Sequence, residues 1–88
     1  MEIYLTSKFK KSYTYLPQSV KAKAERKEKI FNENPYHFSL ATHRLGGEHK
    51  DYWAFSVDRS YSRIMFQFLD AAKKKVVFVN ISTHEIYK

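Results

Sequence analysis

Three side chains of this sequence, Arg63, His84 and His43, have the chemistry and the spacing to act together on a phosphodiester. Near the C-terminal end two apolar runs, Arg63-Ile64-Met65-Phe66-Gln67-Phe68-Leu69 and Val76-Val77-Phe78-Val79-Asn80-Ile81, flank a charged turn and lead into Ser82-Thr83-His84-Glu85-Ile86-Tyr87-Lys88. Side chains on a strand alternate between two faces. Alternation puts Ile64, Phe66 and Phe68 on a core face with Val77, Val79 and Ile81, and gathers Arg63, Gln67, Asn80, Ser82 and His84 on the other. Cleaving RNA through its own 2′-hydroxyl requires a base for that proton, an acid for the departing 5′-oxygen, and cations for the charge that builds on phosphorus. Histidine suits the proton transfers because it titrates near neutrality. Arginine suits the third role because its planar fork stays charged and matches phosphate oxygens. Arg63 and His84 are expected on one face of neighbouring strands, with His43 joining them from the strand before Gly46.

Each of these residues also has a plainer reading. A histidine at a strand end is often a surface residue, and Arg63 could pair across the sheet with a carboxylate. His37, in the loop after Pro35, packs or is exposed, and His49 beside Lys50 is a phosphate contact or an ordinary loop residue. The near-regular spacing of His37, His43 and His49 invites a metal, but it matches no compact ligand pattern and lacks supporting carboxylates. No metal site or other cofactor is expected. Trp53 and Phe55 read as core rather than as base-stacking platforms.

Composition narrows the class. Eighty-eight residues make a single domain, 1–88, and an aromatic content of 17% supplies a small core. A net charge of +7 points to an acidic macromolecular partner, nucleic acid first and an acidic protein second. Cysteine is absent, which excludes disulfides, thiol nucleophiles and the commonest structural zinc sites. The start Met1-Glu2-Ile3-Tyr4-Leu5-Thr6 has neither a basic leader nor an apolar export segment, and no run approaches a membrane span, so a soluble, cytoplasmic protein is expected.

The elements that must position the candidate residues follow from pattern. Ile3 to Leu5 reads as a strand. Ser7 is the expected N-cap of a first helix that stops near Leu16, before Pro17, which opens a second helix running to about Asn34 with an apolar stripe of Val20, Ala24, Ile30 and Phe31. Asn34-Pro35 ends it. A loop to Thr42 leads into a strand, Thr42 to Leu45, that stops at Gly46-Gly47. Tyr52 to Val57 alternates, with Trp53, Phe55 and Val57 toward the core. Polar turns at Asp58-Arg59-Ser60 and Asp70 to Lys75 predict an antiparallel meander, with Lys73-Lys74-Lys75 a solvated turn. The sum is an α+β fold, β-α-α-β-β-β-β, with the helical hairpin on one face of a small antiparallel sheet and the other face open.

This order resembles the RelE/ParE superfamily of bacterial toxins over nearly the whole chain. The likeness is carried by His43-Arg44-Leu45-Gly46 with Tyr52-Trp53, by Tyr61-Ser62-Arg63-Ile64-Met65-Phe66, and by the strand that ends in Ser82-Thr83-His84. Within the superfamily the sequence is most similar to the YafQ and RelE type of mRNA endonuclease. The resemblance implies a microbial RNase-like RelE fold, ribosome-dependent and metal-independent cleavage of mRNA, translation inhibition, and a cognate antitoxin as partner besides ribosome and mRNA. Residue by residue, it implies a phosphate-stabilising role for Arg63, an acid or base role for His84, and a base role for His43. Tyr87 joins this candidate catalytic set, although only Glu85 and Ile86 separate it from His84 where such toxins commonly have three residues. Ser62 stands where the YafQ type has an acidic residue, and Ser56 where it has another histidine. Lys21, Lys23, Arg26 and Lys27 on the helices, with Arg44, Lys50 and Lys88, are the candidate RNA and ribosome contacts. The alternative is the ParE branch, in which the same fold inhibits DNA gyrase by binding protein, without chemistry.

Overall fold

A computed structural model describes residues 1–58 and 62–83. The chain opens with strand β1 (Glu2–Leu5), continues through helices α1 (Ser7–Thr14) and α2 (Gln18–Glu33), and then lays down β2 (His43–Arg44), β3 (Trp53–Ser56), β4 (Ser62–Phe68) and β5 (Lys75–Thr83). Single turns of 3-10 helix at Phe38–Leu40 and Gly47–His49 punctuate the connections. The five strands form one sheet in the order β1-β5-β4-β3-β2, so the architecture is α+β as the pattern predicts. The sheet is mixed rather than purely antiparallel, because β1 pairs with β5 in parallel, Tyr4 against Val77 and Leu5 against Phe78. A parallel pair needs a long crossover connection, and everything from α1 to β4 supplies it.

Local chemistry sets the helix ends. Thr6, not Ser7, caps α1: its hydroxyl accepts from the Phe9 N–H at 3.0 Å and donates to the Val79 carbonyl at 2.8 Å. One side chain thus satisfies an orphan donor of the helix and ties the helix to β5. Pro17 stands just outside α2, in the cap position, and its carbonyl accepts from Val20 and Lys21. Asn34 leaves helical geometry for an extended conformation, as a residue before proline must.

The core is aromatic. Phe31 of α2 is fully buried, stacked on Phe55 at 4.7 Å and edge-on to Phe66 at 4.9 Å and to Phe78 at 5.4 Å. Phe9 of α1 reaches the same cluster through Phe78. On β4 the alternation holds, with Ile64 and Phe66 buried against the helices. On β5 the expected face holds at Ile81 but is overturned before it: Val76 and Phe78 are the core residues there, and Val77 and Val79 are only partly buried. A bulge is the cause. Met65 pairs with Asn80 but Phe66 pairs with Phe78, which leaves Val79 as an extra residue without a partner on β4 and reverses the face on which later residues fall.

Candidate functional site

The face opposite the helices can be followed through the register. His43 pairs with Ala54, Ala54 with Met65, and Met65 with Asn80, a row running across four strands. The next row holds Ser56, Arg63 and Ser82. Directly paired residues point to the same side, so His43 and Arg63 share this face. They stand two strands and two residues apart, roughly 12 Å between Cα atoms from ordinary sheet spacings. A phosphate and its neighbouring ribose fit between a long arginine side chain and an imidazole at that separation. In the register the directly opposed cross-strand partners of Arg63 are Ser56 and Ser82.

His43 is held for one protonation pattern. Its Nδ1 lies 2.9 Å from the Ala41 carbonyl, which can only accept, so Nδ1 carries the hydrogen and Nε2 of the neutral ring is left with its lone pair. Ala41 is itself fixed by a left-handed backbone, φ 50°, at the end of the 38–40 turn. The middle of this face is less open than alternation implies. Ala54 is fully buried and Met65 nearly so, and Asn80 turns its Oδ1 to the Ser12 hydroxyl of α1 at 3.1 Å rather than outward. Among the described side chains, the polar residues around this middle include His43, Ser56, Arg63 and Gln67, all partly buried. At the β1 edge Tyr4 is exposed, and its phenol donates to Glu2 at 2.8 Å, a contact that with the carboxylate charge raises its pKa.

The candidate cations divide into groups. Lys23, Arg26 and Lys27 stand one helical turn apart on α2 and line one cleft, whereas Lys21 lies over the Tyr13 ring at 5.9 Å. Arg44 follows His43 and therefore points to the helix side, where its guanidinium sits 5.8 Å from the Trp53 ring and donates to the Lys50 carbonyl. Lys50 is exposed at the end of the 47–49 turn. His37 serves the chain, accepting from the Ser39 N–H through Nδ1 at 3.2 Å, and His49 packs edge-on to Tyr52. Among the described residues no three His, Asp or Glu side chains converge as a metal site, and no helix is long and apolar enough to cross a membrane. His84, Tyr87 and Lys88 lie outside the described residues. Sequence reasoning passed over Phe38 and took Lys73 for part of a solvated turn, because the positions of both follow from backbone turns that leave no periodic signal.

No protein-family model matches this chain, and no curated protein matches it. Solved structures do. The YoeB/ParE toxin from Agrobacterium tumefaciens superposes with a TM-score of 0.78 at 13% identity, covering 96% of this chain and 99% of that one. YafQ from E. coli strain BL21(DE3) gives 0.76 at 18% identity, covering 97% and 94%. The toxin-antitoxin complex RelBE2 from Mycobacterium tuberculosis gives 0.73 at 14% identity, covering 94% and 96%. At such identities the likeness establishes the fold: this chain has the RelE-like toxin fold along essentially its whole length.

Proposed function

We propose that the chain is the toxin of a type II toxin-antitoxin system and acts as an endoribonuclease that cuts mRNA on the ribosome without a metal. The observation that carries this reading is that His43 and Arg63 share one sheet face, with His43 Nδ1 committed to the Ala41 carbonyl and Nε2 free to act as the base. In the proposed reaction Nε2 takes the proton of a 2′-hydroxyl, the 2′-oxygen attacks the adjacent phosphorus, and the bond to the 5′-oxygen breaks to leave a 2′,3′-cyclic phosphate. The Arg63 guanidinium holds the non-bridging oxygens as charge grows on them. The 5′-oxygen receives its proton from an acid, for which His84, given an acid or base role by resemblance, is the first candidate and Tyr87 the second. A net charge of +7 suits binding to ribosomal RNA and makes it strongly salt-dependent. A cognate antitoxin as partner is supported by neighbours of this fold solved with theirs, the DinJ-YafQ complex of E. coli and RelBE2.

Induced expression of wild type beside Arg63→Ala and His43→Ala, read by growth and by primer extension on cellular mRNA, tests the assignment. Wild type should arrest growth and leave new mRNA ends, and loss of the base should slow cutting about 10²- to 10⁴-fold. Arrest by both variants equal to wild type would overturn it. Filamentation with intact mRNA would favour gyrase inhibition instead.

A further inference from the structure

A recess lies beside the row of Arg63, where α2, the 38–40 turn and the end of β3 meet. It has a volume of about 650 Å³, large enough for a nucleotide. Lys23, Arg26 and Lys27 line it from α2 and Phe38 and Ser39 from the turn, and Asp58, just past β3, lines it as well, so the cations outnumber the acid three to one. The cations follow i, i+3, i+4 spacing, so one helix face presents all three together. Lys27 spans the cleft and donates to the Ser39 carbonyl at 3.0 Å, fixing its width.

Phe38 is the anomaly. A phenylalanine 89% exposed on a short turn leaves its ring area in water, against the usual drive to bury it. The turn that carries it is held at both ends: His37 caps it at one, and at the other Leu40 is fully buried and Ala41 reverses the chain in the left-handed region. The His37 ring stacks on Phe38 at 4.7 Å and 25°, extending the flat surface. A fixed, exposed aromatic surface beside clustered cations is the arrangement by which proteins hold single-stranded nucleic acid, rings under bases and cations along the backbone.

The cleft also connects to the sheet. Ser56 lines it and is the direct cross-strand partner of Arg63. We infer that this cleft binds one nucleotide of single-stranded RNA flanking the bond held at Arg63, its phosphate on Lys23 and Arg26 and its base on Phe38. The inference rests on the reading that the Arg63 face takes RNA. An acidic polypeptide could answer the cations and the ring alike; RNA is favoured because Ser56 joins the cleft to the row that carries Arg63.

Binding of a fluorescein-labelled short RNA with 2′-O-methyl sugars, which cannot be cut, separates the possibilities by fluorescence anisotropy over a salt series. Phe38→Ala should weaken binding about 5- to 150-fold with no change in salt slope, and Phe38→Tyr should restore it. Lys23→Gln with Arg26→Gln should weaken binding and, with one phosphate no longer neutralised, reduce the slope of log K against log salt by about 0.7. All three positions, Phe38, Lys23 and Arg26, are exposed, so these variants should fold. Wild-type affinity for Phe38→Ala or Phe38→Leu overturns the stacked base, and an unchanged slope overturns the phosphate site. Variants that keep RNA yet lose an acidic polypeptide such as the antitoxin overturn the RNA assignment. If Arg63→Ala stops cutting while the cleft variants bind as wild type, the cleft falls alone. If the cleft variants lose RNA while Arg63→Ala cuts as wild type, the catalytic reading falls and the cleft stands.

Discussion

Asn80 lies directly across the sheet from Met65, yet its Oδ1 accepts a hydrogen bond at 3.1 Å from the Ser12 hydroxyl of α1. The bulge next to it explains why α1 is anchored here. Val79, left without a partner on β4, offers its carbonyl to the Thr6 hydroxyl, so both ends of the helical turn at 6–12 are tied to consecutive residues of β5.

Removing either partner should be felt, because Asn80 is only 8% exposed. Ser12→Ala or Asn80→Ala should each destabilise the fold by about 1–2 kcal/mol in urea unfolding, and the double variant by clearly less than the sum. Strict additivity would show that the bond contributes nothing.

Lys73 is not a freely solvated residue of a lysine run. Its ammonium donates to the Tyr36 hydroxyl at 2.8 Å and lies 5.3 Å, 5.5 Å and 5.3 Å from the ring centres of Tyr36, Trp53 and Phe68, while its backbone occupies the left-handed region at φ 58°. Lys73→Ala keeps the backbone strain and loses the cation, for about 1 kcal/mol or more. Lys73→Gly loses the cation but relieves about 1 kcal/mol of strain. Stability should therefore rank wild type above Lys73→Ala, with Lys73→Gly above Lys73→Ala, and the single tryptophan should report both changes in its fluorescence. Equal stability of the two variants would remove the strain from the account.

Glu28 carries a pH dependence. Partial burial, then the neighbouring Glu25 charge, raises its pKa above the ordinary glutamate value. The folded state therefore holds the proton more tightly than the unfolded chain does, and this group lowers stability as pH rises from the ordinary value through the raised one. Glu28→Gln should be more stable than wild type at about pH 7, and the gap should narrow as pH falls and close below about pH 3, where the wild-type carboxyl is protonated in both states. A gap that widens toward acid would reverse the sign and refute the assignment.

The α+β class, the proline-bounded helical hairpin and the inward face of β4 were legible because each rests on a local rule: a breaker, a 3.6-residue stripe, a two-residue alternation. Arg63 was placed on the outward face by the same alternation, and His43 as its companion by strand order. Local rules failed where partners are distant. Val76 to Val79 is apolar at every position, so its alternation names no face, and the choice of Val76 and Phe78 over Val77 and Val79 came from a bulge set by pairing with β4. The parallel seating of β1 joins segments more than seventy residues apart, as the Thr6 to Val79 bond does.

By itself, the order of residues determined which chemistry was available: imidazoles, a strand arginine, a surplus of cations and no thiol. The tertiary structure decided which of them meet. Adjacent residues on a strand diverge, so His43 joined the Arg63 face while Arg44 went to Trp53 on the other side. Residues far apart in sequence converge, so three helix cations and Phe38 came to share a cleft with Ser56. Pairing and turn geometry act through space, and a one-dimensional pattern records only the alternation and periodicity of each segment.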